Sequence, residues 1–286
     1  MRRSFFFVIL LSANLAHLAC GQGLAHRDIG KIDDKDLDEL SGCAVSKQNS
    51  GVLWVHNDGE TDSIYAIRTS GQVVARVQLP VKVEDLEDIA LGLGPDRKTE
   101  CLYVGDIGDN DRKRDSIRIL CFPEPLVTPK GTDIRVPYLE VFSLFYPDRK
   151  HDAEALLVDP INGMILIVTK DKSEAQIFAV ETNSPRRASN FNLRPIGQLA
   201  VQNISGGDIS RDGSRVILRR EDRGWLWTRR PCQSLAATIL GRPREVPVRG
   251  SSQGANGESV GFAPNGDAYV TISEGKMETI CVFQLN

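Results

Sequence analysis

Residues 85–106 read DLEDIALGLGPDRKTECLYVGD and contain two short apolar strands joined by a turn. The same arrangement returns in four other stretches: 41–56 SGCAVSKQNSGVLWVH, 152–169 DAEALLVDPINGMILIVT, 207–218 GDISRDGSRVIL and 257–272 GESVGFAPNGDAYVTI. With Ser41, Glu87, Glu154, Asp208 and Glu258 as equivalent markers, successive copies are 46, 67, 54 and 50 residues apart. Self-similarity at such a period indicates a repeat architecture.

Each spacing leaves room for two more strands, so each repeat predicts one four-stranded antiparallel blade. Candidate third strands are residues 63–67, 116–121, 176–180, 225–228 and 279–284. Radial repetition of blades protects sheet edges. We therefore predict an all-β fold, a β-propeller with five blades; six blades are the alternative. The last blade runs out of sequence after its third strand, so residues 25–32 are predicted to supply the fourth and close the ring. Residues 122–150 are predicted to form an extended connection with an outer strand around 138–145.

The amino terminus has the pattern of an export signal. Arg2 and Arg3 precede an apolar run at 5–11, and small residues at 19–21 form a cleavage site. We expect residues 1–21 to be a signal peptide and 22–286 to be a single secreted propeller domain. Lipid attachment at Cys20 is the alternative. No later segment is apolar enough to span a membrane, and we expect a monomer.

The charge balance excludes one class of partner. Residues 1–21 contain two arginines and no acid, so their removal would take the formal charge from −3 to −5. Nucleic-acid binding usually requires a basic face, so we expect no nucleic-acid partner.

Two covalent modifications are suggested by local patterns. Cys101 and Cys121 flank two neighbouring strands of the second blade, and an oxidising compartment would permit a disulfide between them. Cys43 is expected to be a buried, unpaired thiol. Asn203 begins an Asn-Ile-Ser sequon, which is a glycosylation site if the host is a eukaryote.

The topology of a propeller gathers polar residues at one opening of the channel. Residues just before the innermost strand of a blade and just after its second strand share that opening, which we call the mouth. The acids that precede innermost strands are Glu84, Asp85, Glu87, Asp88, Asp152, Glu154, Asp208 and Glu258. The polar residues that follow second strands include Asp58, Asp106, Asp109, Asn110, Lys170, Arg219, Arg220 and Glu274.

Several carboxylates at one opening repel one another unless a cation compensates them, and calcium accepts six to eight oxygens in loose geometry. The candidate Ca²⁺ ligands are Glu87, Asp88, Asp106, Asp109, Asn110, Glu154, Asp208 and Glu258. A structural role is the alternative, in which the acids accept hydrogen bonds from backbone amides of the next blade. Lys170, Arg219 and Arg220 are the candidate seat of an anionic group.

Three strings carry a family resemblance: 85–90 DLEDIA, 102–110 LYVGDIGDN and 152–160 DAEALLVDP. They resemble a group of largely uncharacterised secreted or lipoprotein propellers found mainly in bacteria. More distantly, the chain is similar to phytase-like and SdiA-regulated propellers, over most of residues 38–275. The phytase-like resemblance implies calcium at the channel mouth and hydrolysis of phosphate monoesters, with that role falling on Glu87, Asp88, Asp106 and Asp109.

Two functions follow from these patterns. The first is a calcium-binding extracellular recognition module that binds a small anion, glycan or peptide at the mouth. The second is a calcium-dependent hydrolase of phosphoesters or lactones, in which Glu87 or Asp88 would activate a water molecule. A propeller scaffold serves either function, so the fold alone does not choose between them.

Overall fold

The chain forms five β-sheets arranged around a central channel, which confirms the predicted five-bladed propeller. The computed structural model describes residues 24–128, 132–181, 189–250 and 257–285. The predicted signal peptide and Cys20 lie outside these residues. No helix in the described ranges is long and apolar enough to cross a membrane.

The first two blades follow the amino-terminal strand β1 (His26–Lys31). Blade 1 contains β2 (Leu40–Val45), β3 (Val52–Asn57), β4 (Ser63–Arg68) and β5 (Val73–Gln78). Blade 2 contains β6 (Leu86–Leu93), β7 (Glu100–Asp106), β8 (Ile117–Pro123) and β10 (Glu140–Phe145), and β9 (Thr132–Arg135) lies in the connection before β10. The outer strand expected around 138–145 is therefore confirmed.

The remaining blades complete the ring. Blade 3 contains β11 (Ala153–Val158), β12 (Met164–Thr169), β13 (Ala175–Glu181) and β15 (Arg194–Leu199), and β14 (Asn190–Asn192) precedes β15. Blade 4 contains β16 (Gly206–Ile209), β17 (Arg215–Arg220), β18 (Arg223–Thr228) and β19 (Arg244–Val246), with the short helix α1 (Leu235–Ile239) before β19. Blade 5 contains β20 (Ser259–Phe262), β21 (Ala268–Ile272) and β22 (Thr279–Gln284), and its fourth strand is β1.

The ring closes by pairing the two ends of the chain. Strand β1 runs antiparallel to β22, with His26 opposite Phe283 and Lys31 opposite Thr279. This confirms the closure predicted for residues 25–32. Because the last blade needs a strand from the amino terminus, the ring cannot be completed before both ends are in place.

Two strands were not predicted. Strand β9 pairs in parallel with β5 on the outer edge of blade 1, and β14 pairs in parallel with β10 on the outer edge of blade 2. Each comes from the connection that serves the next blade along the chain. These additions cover edges that would otherwise present unpaired backbone groups.

The hydrophobic core is divided between the blades. Five apolar clusters of described residues each combine side chains from two neighbouring blades, and together they run round the whole ring. Trp54 of blade 1, for example, packs in one cluster with Leu102 of blade 2. Every innermost strand thus has a fixed orientation relative to its neighbours, which holds the mouth in place.

The predicted disulfide between Cys101 and Cys121 is not formed. Tyr103, not Cys101, lies opposite Cys121 in the ladder, and Cys101 pairs with Pro123. The two thiols remain in contact, but both are free and buried. Cys43 is free and buried as expected.

Candidate functional site

Two groups of carboxylates converge at the mouth. Asp58, Asp85 and Glu87 each place one oxygen within 4.8 Å of the others, and so do Glu87, Asp152 and Glu154. Glu87 belongs to both groups. We call these five residues the mouth cluster. They come from three blades: Asp58 follows β3, Asp85 and Glu87 begin blade 2, and Asp152 and Glu154 begin blade 3.

β-bulges set the direction of the central side chains. The ladder between β6 and β7 shifts register between Leu86 and Asp88, and the ladder between β11 and β12 shifts between Ala153 and Ala155. The extra residues are Glu87 and Glu154. A bulge leaves one residue outside the ladder and redirects its side chain. The two glutamates therefore leave the alternation of their strands at the point where the strands reach the channel.

One oxygen of Glu154 has no hydrogen-bond partner among the described residues, although the side chain is only 3% exposed. Its other carboxylate oxygen contacts the ammonium of Lys170. An unpartnered buried carboxylate oxygen is costly unless a cation or donor satisfies it. The geometry of the mouth cluster therefore fits a cation that would bind to this oxygen.

Burial and mutual repulsion raise the pKa values of several acids in the mouth cluster. The pKa of Glu87 lies well above its usual value because of burial and the charges of Glu154 and Asp58. Burial and then the charge of Asp85 raise the pKa of Asp58 to about 6. Burial and then the charge of Asp152 raise the pKa of Asp85 to about 6. A bound cation would reverse this effect, because it favours the charged form of each carboxylate.

Gly108 forms part of the wall of this site. A Cβ added at Gly108 would clash with the carboxylates of Glu87 and Asp85. The carbonyl of Gly108 accepts a hydrogen bond from Arg114 at 2.8 Å, which holds the loop against the cluster. The small size of glycine matters here and its conformational freedom does not, because its φ lies outside the left-handed region.

Lys170 links the mouth cluster to the other half of the mouth. Its ammonium contacts Glu154 and lies 3.7 Å from Glu258. Burial lowers the pKa of Lys170, but the carboxylates of Glu154 and Glu258 outweigh this effect and raise it overall. Lys170 is therefore protonated at neutral pH and provides one positive charge among many carboxylates.

Glu258 lies in the second half of the mouth, opposite the mouth cluster. Its carboxylate accepts a hydrogen bond from the Ser41 hydroxyl at 3.1 Å. Burial and then the charge of Glu258 raise the pKa of the neighbouring Glu274 to about 8. A polar cavity of about 390 Å³ adjoins this half, and Lys170, Asn203, Arg220 and Glu258 are among the residues that line it.

Asp88 and Asp208 have structural contacts instead of facing the mouth cluster. Asp88 accepts backbone hydrogen bonds from Ile89 and from Leu156 of blade 3, each at 2.8 Å. Asp208 accepts them from Ile209 at 2.8 Å and from Phe262 of blade 5 at 2.6 Å. Asp208 is therefore equivalent to Asp88. The repeat alignment had paired Asp208 with Glu87, which lies one position earlier. This is the structural role considered as the alternative for these acids.

Asp106 is neutralised by arginines. Arg114 lies 2.9 Å from one of its oxygens, and Arg118 contacts the other through two nitrogens, one at 2.9 Å. Arg118 stands directly opposite Asp106 in the ladder of β7 and β8. The sequence signal for this contact is the hairpin of β7 and β8, which places Asp106 and Arg118 side by side.

The side chains of the remaining candidates make contacts outside the cluster, although the backbone N–H of Asp109 donates to Asp152 at 2.9 Å. Asp109 accepts hydrogen bonds from the backbone of Lys113 at 2.7 Å and of Arg114 at 3.0 Å, which closes a turn. Asn110 is exposed in that turn. Arg219 is fully buried and donates to backbone carbonyls, including that of Ser259 at 3.0 Å.

Arg220 and Asn203 lie in the rim of the polar cavity. The Arg220 guanidinium donates to Asp222 at 2.7 Å. Asn203 is exposed and has φ +55. Of the predicted ligands, the structure thus brings together Glu87 and Glu154, with Glu258 across Lys170. Asp58, Asp85 and Asp152 complete the cluster; the sequence had placed them at the mouth but not among the ligands.

Comparisons with known proteins assign no family to the chain. No protein-family model matches the chain, and a search of curated proteins finds no sequence relative. Among solved structures, the chain is similar to a Bacteroides uniformis protein assigned as a 6-phosphogluconolactonase. The two are 12% identical, the match covers 86% of this chain and 67% of that one, and the TM-score is 0.43. Similarity at this level carries no information about activity.

Proposed function

We propose that this protein is a calcium-dependent binding module whose ligand docks at the mouth of the propeller. One observation carries the proposal: Glu87 is shared by two groups of three carboxylates, each within 4.8 Å, and a buried oxygen of Glu154 has no partner in the part of the chain that the structure describes. The ammonium group of Lys170 contacts Glu154 of the mouth cluster. Hard oxygen donors in loose geometry suit Ca²⁺ better than a metal that requires nitrogen or sulfur ligands.

Residues outside the cluster would recognise the ligand. Lys170 and Arg220 line the polar cavity beside the cluster, and both carry charges that attract an anionic group. The cation would supply a second positive centre for the same group. We therefore expect a small anion, or an anionic part of a glycan or peptide, to bind across the cation and Lys170.

An extracellular location belongs to this proposal and rests on the export signal at residues 1–21. Calcium sites of extracellular modules commonly have dissociation constants of about 10⁻⁴ to 10⁻³ M. Burial and neighbouring carboxylates raise the pKa values of Glu87 and Glu154 well above their usual range, which disfavours the charged forms that bind calcium. Affinity in this weak range is therefore expected.

The test is calorimetric titration of the metal-free protein with Ca²⁺, together with melting curves. Calcium should bind and raise the melting temperature by several degrees, and a chelator should reverse the shift. Glu87→Gln should weaken binding by about tenfold or more, because both groups lose a charged ligand. Asp111→Asn is the matched control, since Asp111 is exposed and paired only with Lys113 among the described residues. Absence of both heat and a melting shift would refute the cation site.

The ligand part is tested separately with methyl phosphate and acetate as probes. Each should bind more tightly in the presence of Ca²⁺, and Lys170→Met should weaken anion binding without abolishing calcium binding. Calcium itself should bind the Lys170→Met protein more tightly, because a nearby positive charge is gone. If neither anion binds with calcium present, the module has no anion seat, although the cation site would stand.

A hydrolase is the second candidate, and the sharing of Glu87 favours it. Two cations about 3.5–4 Å apart, held by shared ligands, are a recurrent arrangement in hydrolytic sites. Calcium-dependent turnover of 4-nitrophenyl phosphate or of a lactone, lost in Glu87→Gln and retained in Asp111→Asn, would favour this function over simple binding.

A further inference from the structure

A second cavity lies at the opposite opening of the channel from the mouth. It has a volume of about 270 Å³ and is formed where the innermost strands of the blades end. Val45 and Leu93 are at the ends of β2 and β6, and Ile209 and Phe262 are at the ends of β16 and β20. We call it the distal cavity. Its position depends on the convergence of all five blades and not on any single loop.

The distal cavity has a mixed lining, in which apolar side chains and polar atoms share the exposed surface about equally. Val45, Leu91 and Leu93 line it and remain only partly buried, although apolar side chains at the centre of a propeller are normally covered. Ile209 and Phe262 add apolar surface from the opposite side. Small-molecule sites combine apolar surface with a few polar groups in volumes of about 300–1,000 Å³, and the volume of this cavity lies just below that range.

Four charged side chains line the same cavity, and three of them are compensated. Lys47 contacts Glu100 across blades 1 and 2, so these two charges cancel. The oxygens of Asp208 accept the backbone N–H groups of Ile209 and Phe262. The fourth is Arg211.

Arg211 has no salt bridge within the described parts of the chain. One guanidinium nitrogen donates to the carbonyl of Ser46 at 3.1 Å, which fixes the side chain across the cavity rim. A guanidinium has five N–H donors, so this bond leaves most of them available. Nearby Asp208 attracts Arg211 electrostatically, but its oxygens are already hydrogen-bonded to backbone amides. Arg211 is therefore an exposed cation with spare donors at the rim of the cavity, beside the partly buried Leu91 and Leu93.

We propose that the distal cavity binds a small monoanion with a compact apolar or aromatic body. Its anionic group would accept hydrogen bonds from Arg211, and its body would cover Leu91, Leu93 and Phe262. A neutral apolar molecule would leave the Arg211 donors unused, and a polyanion or a large sugar would not fit the volume and the wall. This site is independent of the cation site at the mouth.

The probe is 2-naphthoate, with the uncharged 2-naphthalenemethanol as its matched analogue, in calorimetric titrations of the full chain. Naphthoate should bind at least about tenfold more tightly than the alcohol, because a hydrogen bond to a charged group is stronger than one between neutral groups. Arg211→Gln should reduce the affinity for naphthoate to that for the alcohol. Arg211→Lys should retain part of the gain.

Two controls locate the site. Arg230→Gln removes the same charge from an exposed position outside the cavity lining and should leave binding unchanged. Addition of calcium or a chelator should also have no effect, which separates this site from the mouth and from the function proposed there. Melting curves would show whether each variant is folded.

Three outcomes would overturn the proposal. Failure of the wild-type protein to bind naphthoate would exclude the site. Equal binding of naphthoate and the alcohol would reduce it to an apolar cavity without anion selectivity. Unchanged naphthoate affinity in Arg211→Gln would place the anion elsewhere. If Arg211→Gln does not fold, Leu93→Asp provides the second variant, because a carboxylate in the wall should repel naphthoate more strongly than the alcohol.

Discussion

The carboxylate of Asp88 in blade 2 accepts a hydrogen bond from the backbone N–H of Leu156 in blade 3, at 2.8 Å. Two blades further along the ring, Asp208 accepts the same kind of bond from Phe262 of blade 5, at 2.6 Å. In both cases the second carboxylate oxygen accepts the N–H of the isoleucine that follows the aspartate. A repeated Asp-Ile pair therefore connects the innermost strands of adjacent blades.

Substitution of either aspartate should destabilise the ring. Asp88→Ala removes the acceptor and leaves the buried N–H of Leu156 without a partner, which costs about 1–3 kcal/mol. Urea unfolding should show this loss for Asp88→Ala and for Asp208→Ala, while Asp111→Ala at an exposed position should stay near wild type. Calcium affinity should be unchanged in a folded Asp88→Ala protein. A large drop in that affinity would instead assign Asp88 to the cation site.

Asp208 should also make stability depend on pH. Burial raises its pKa from 3.8 to about 7, against the opposing effect of two backbone hydrogen bonds. Between these values the folded state binds more protons than the unfolded state, so the free energy of unfolding should fall as pH rises from about 4 to about 7. The contribution of this one group is about 1 kcal/mol per pH unit.

The measurement is urea unfolding of the metal-free protein at several pH values. Asp208→Asn should reduce the slope by about one proton relative to wild type, whatever its effect on absolute stability. Glu87, Asp88 and Glu154 also have raised pKa values, so some slope should remain. An unaltered slope in Asp208→Asn would mean that Asp208 is already ionised in the folded protein at low pH.

Gly108 should control access to the cation site. Gly108→Ala places a methyl group against the carboxylates of Glu87 and Asp85, so these side chains must move apart. Calcium affinity should fall by about 10- to 100-fold, the range found when groups that orient metal ligands are changed. The melting temperature of the calcium-free protein should change little.

The matched control is Gly250→Ala, since a Cβ there meets only an ordinary contact with the Glu221 carbonyl at 3.6 Å. Calcium titrations of both alanine variants test the prediction. Equal affinities for Gly108→Ala and wild type would show that the cation does not need Glu87 and Asp85 together.

The cysteines should differ sharply in reactivity. Cys232 is exposed, whereas Cys43, Cys101 and Cys121 are buried free thiols. Burial raises the pKa of Cys43, and its neighbour Cys101 and burial raise that of Cys121. Brief alkylation of the native protein followed by peptide mapping should therefore label Cys232 well before these three, because the thiolate is the reactive form. A peptide joined through Cys101 and Cys121 in a non-reduced map would contradict the free thiols.

The sequence was a good guide to the blades because each blade is a local unit. Alternating apolar runs and turn residues define hairpins over short distances, as in β11 and β12 around Asn162-Gly163. Ring closure was also predictable, because the last repeat lacked one strand and residues 25–32 were the only unassigned strand-like segment next to it. The parallel strands β9 and β14 were not predictable, because each belongs to one repeat and pairs with the outer strand of the preceding blade.

The candidate site was predictable as a region but not as a set of ligands. The order of strands in a propeller placed Glu87, Asp88 and Asp106 at one opening. It could not predict which of these side chains would face one another. Whether an acid meets a neighbouring amide, an arginine or open space depends on side-chain direction. Arg114 and Arg118, for example, take up the charge of Asp106.

The sequence by itself determined the repeat, the number of blades and the pairing of the two ends of the chain, because hydrophobic periodicity and turn chemistry act over neighbouring residues. Only the tertiary structure decided that Glu87 faces the channel while Asp88, the next residue, connects blades 2 and 3. A bulge in β6 separates the two directions, and its position depends on how the ladder fits against the adjacent blades. The mouth cluster exists because three blades, distant in sequence, are held together by the ring.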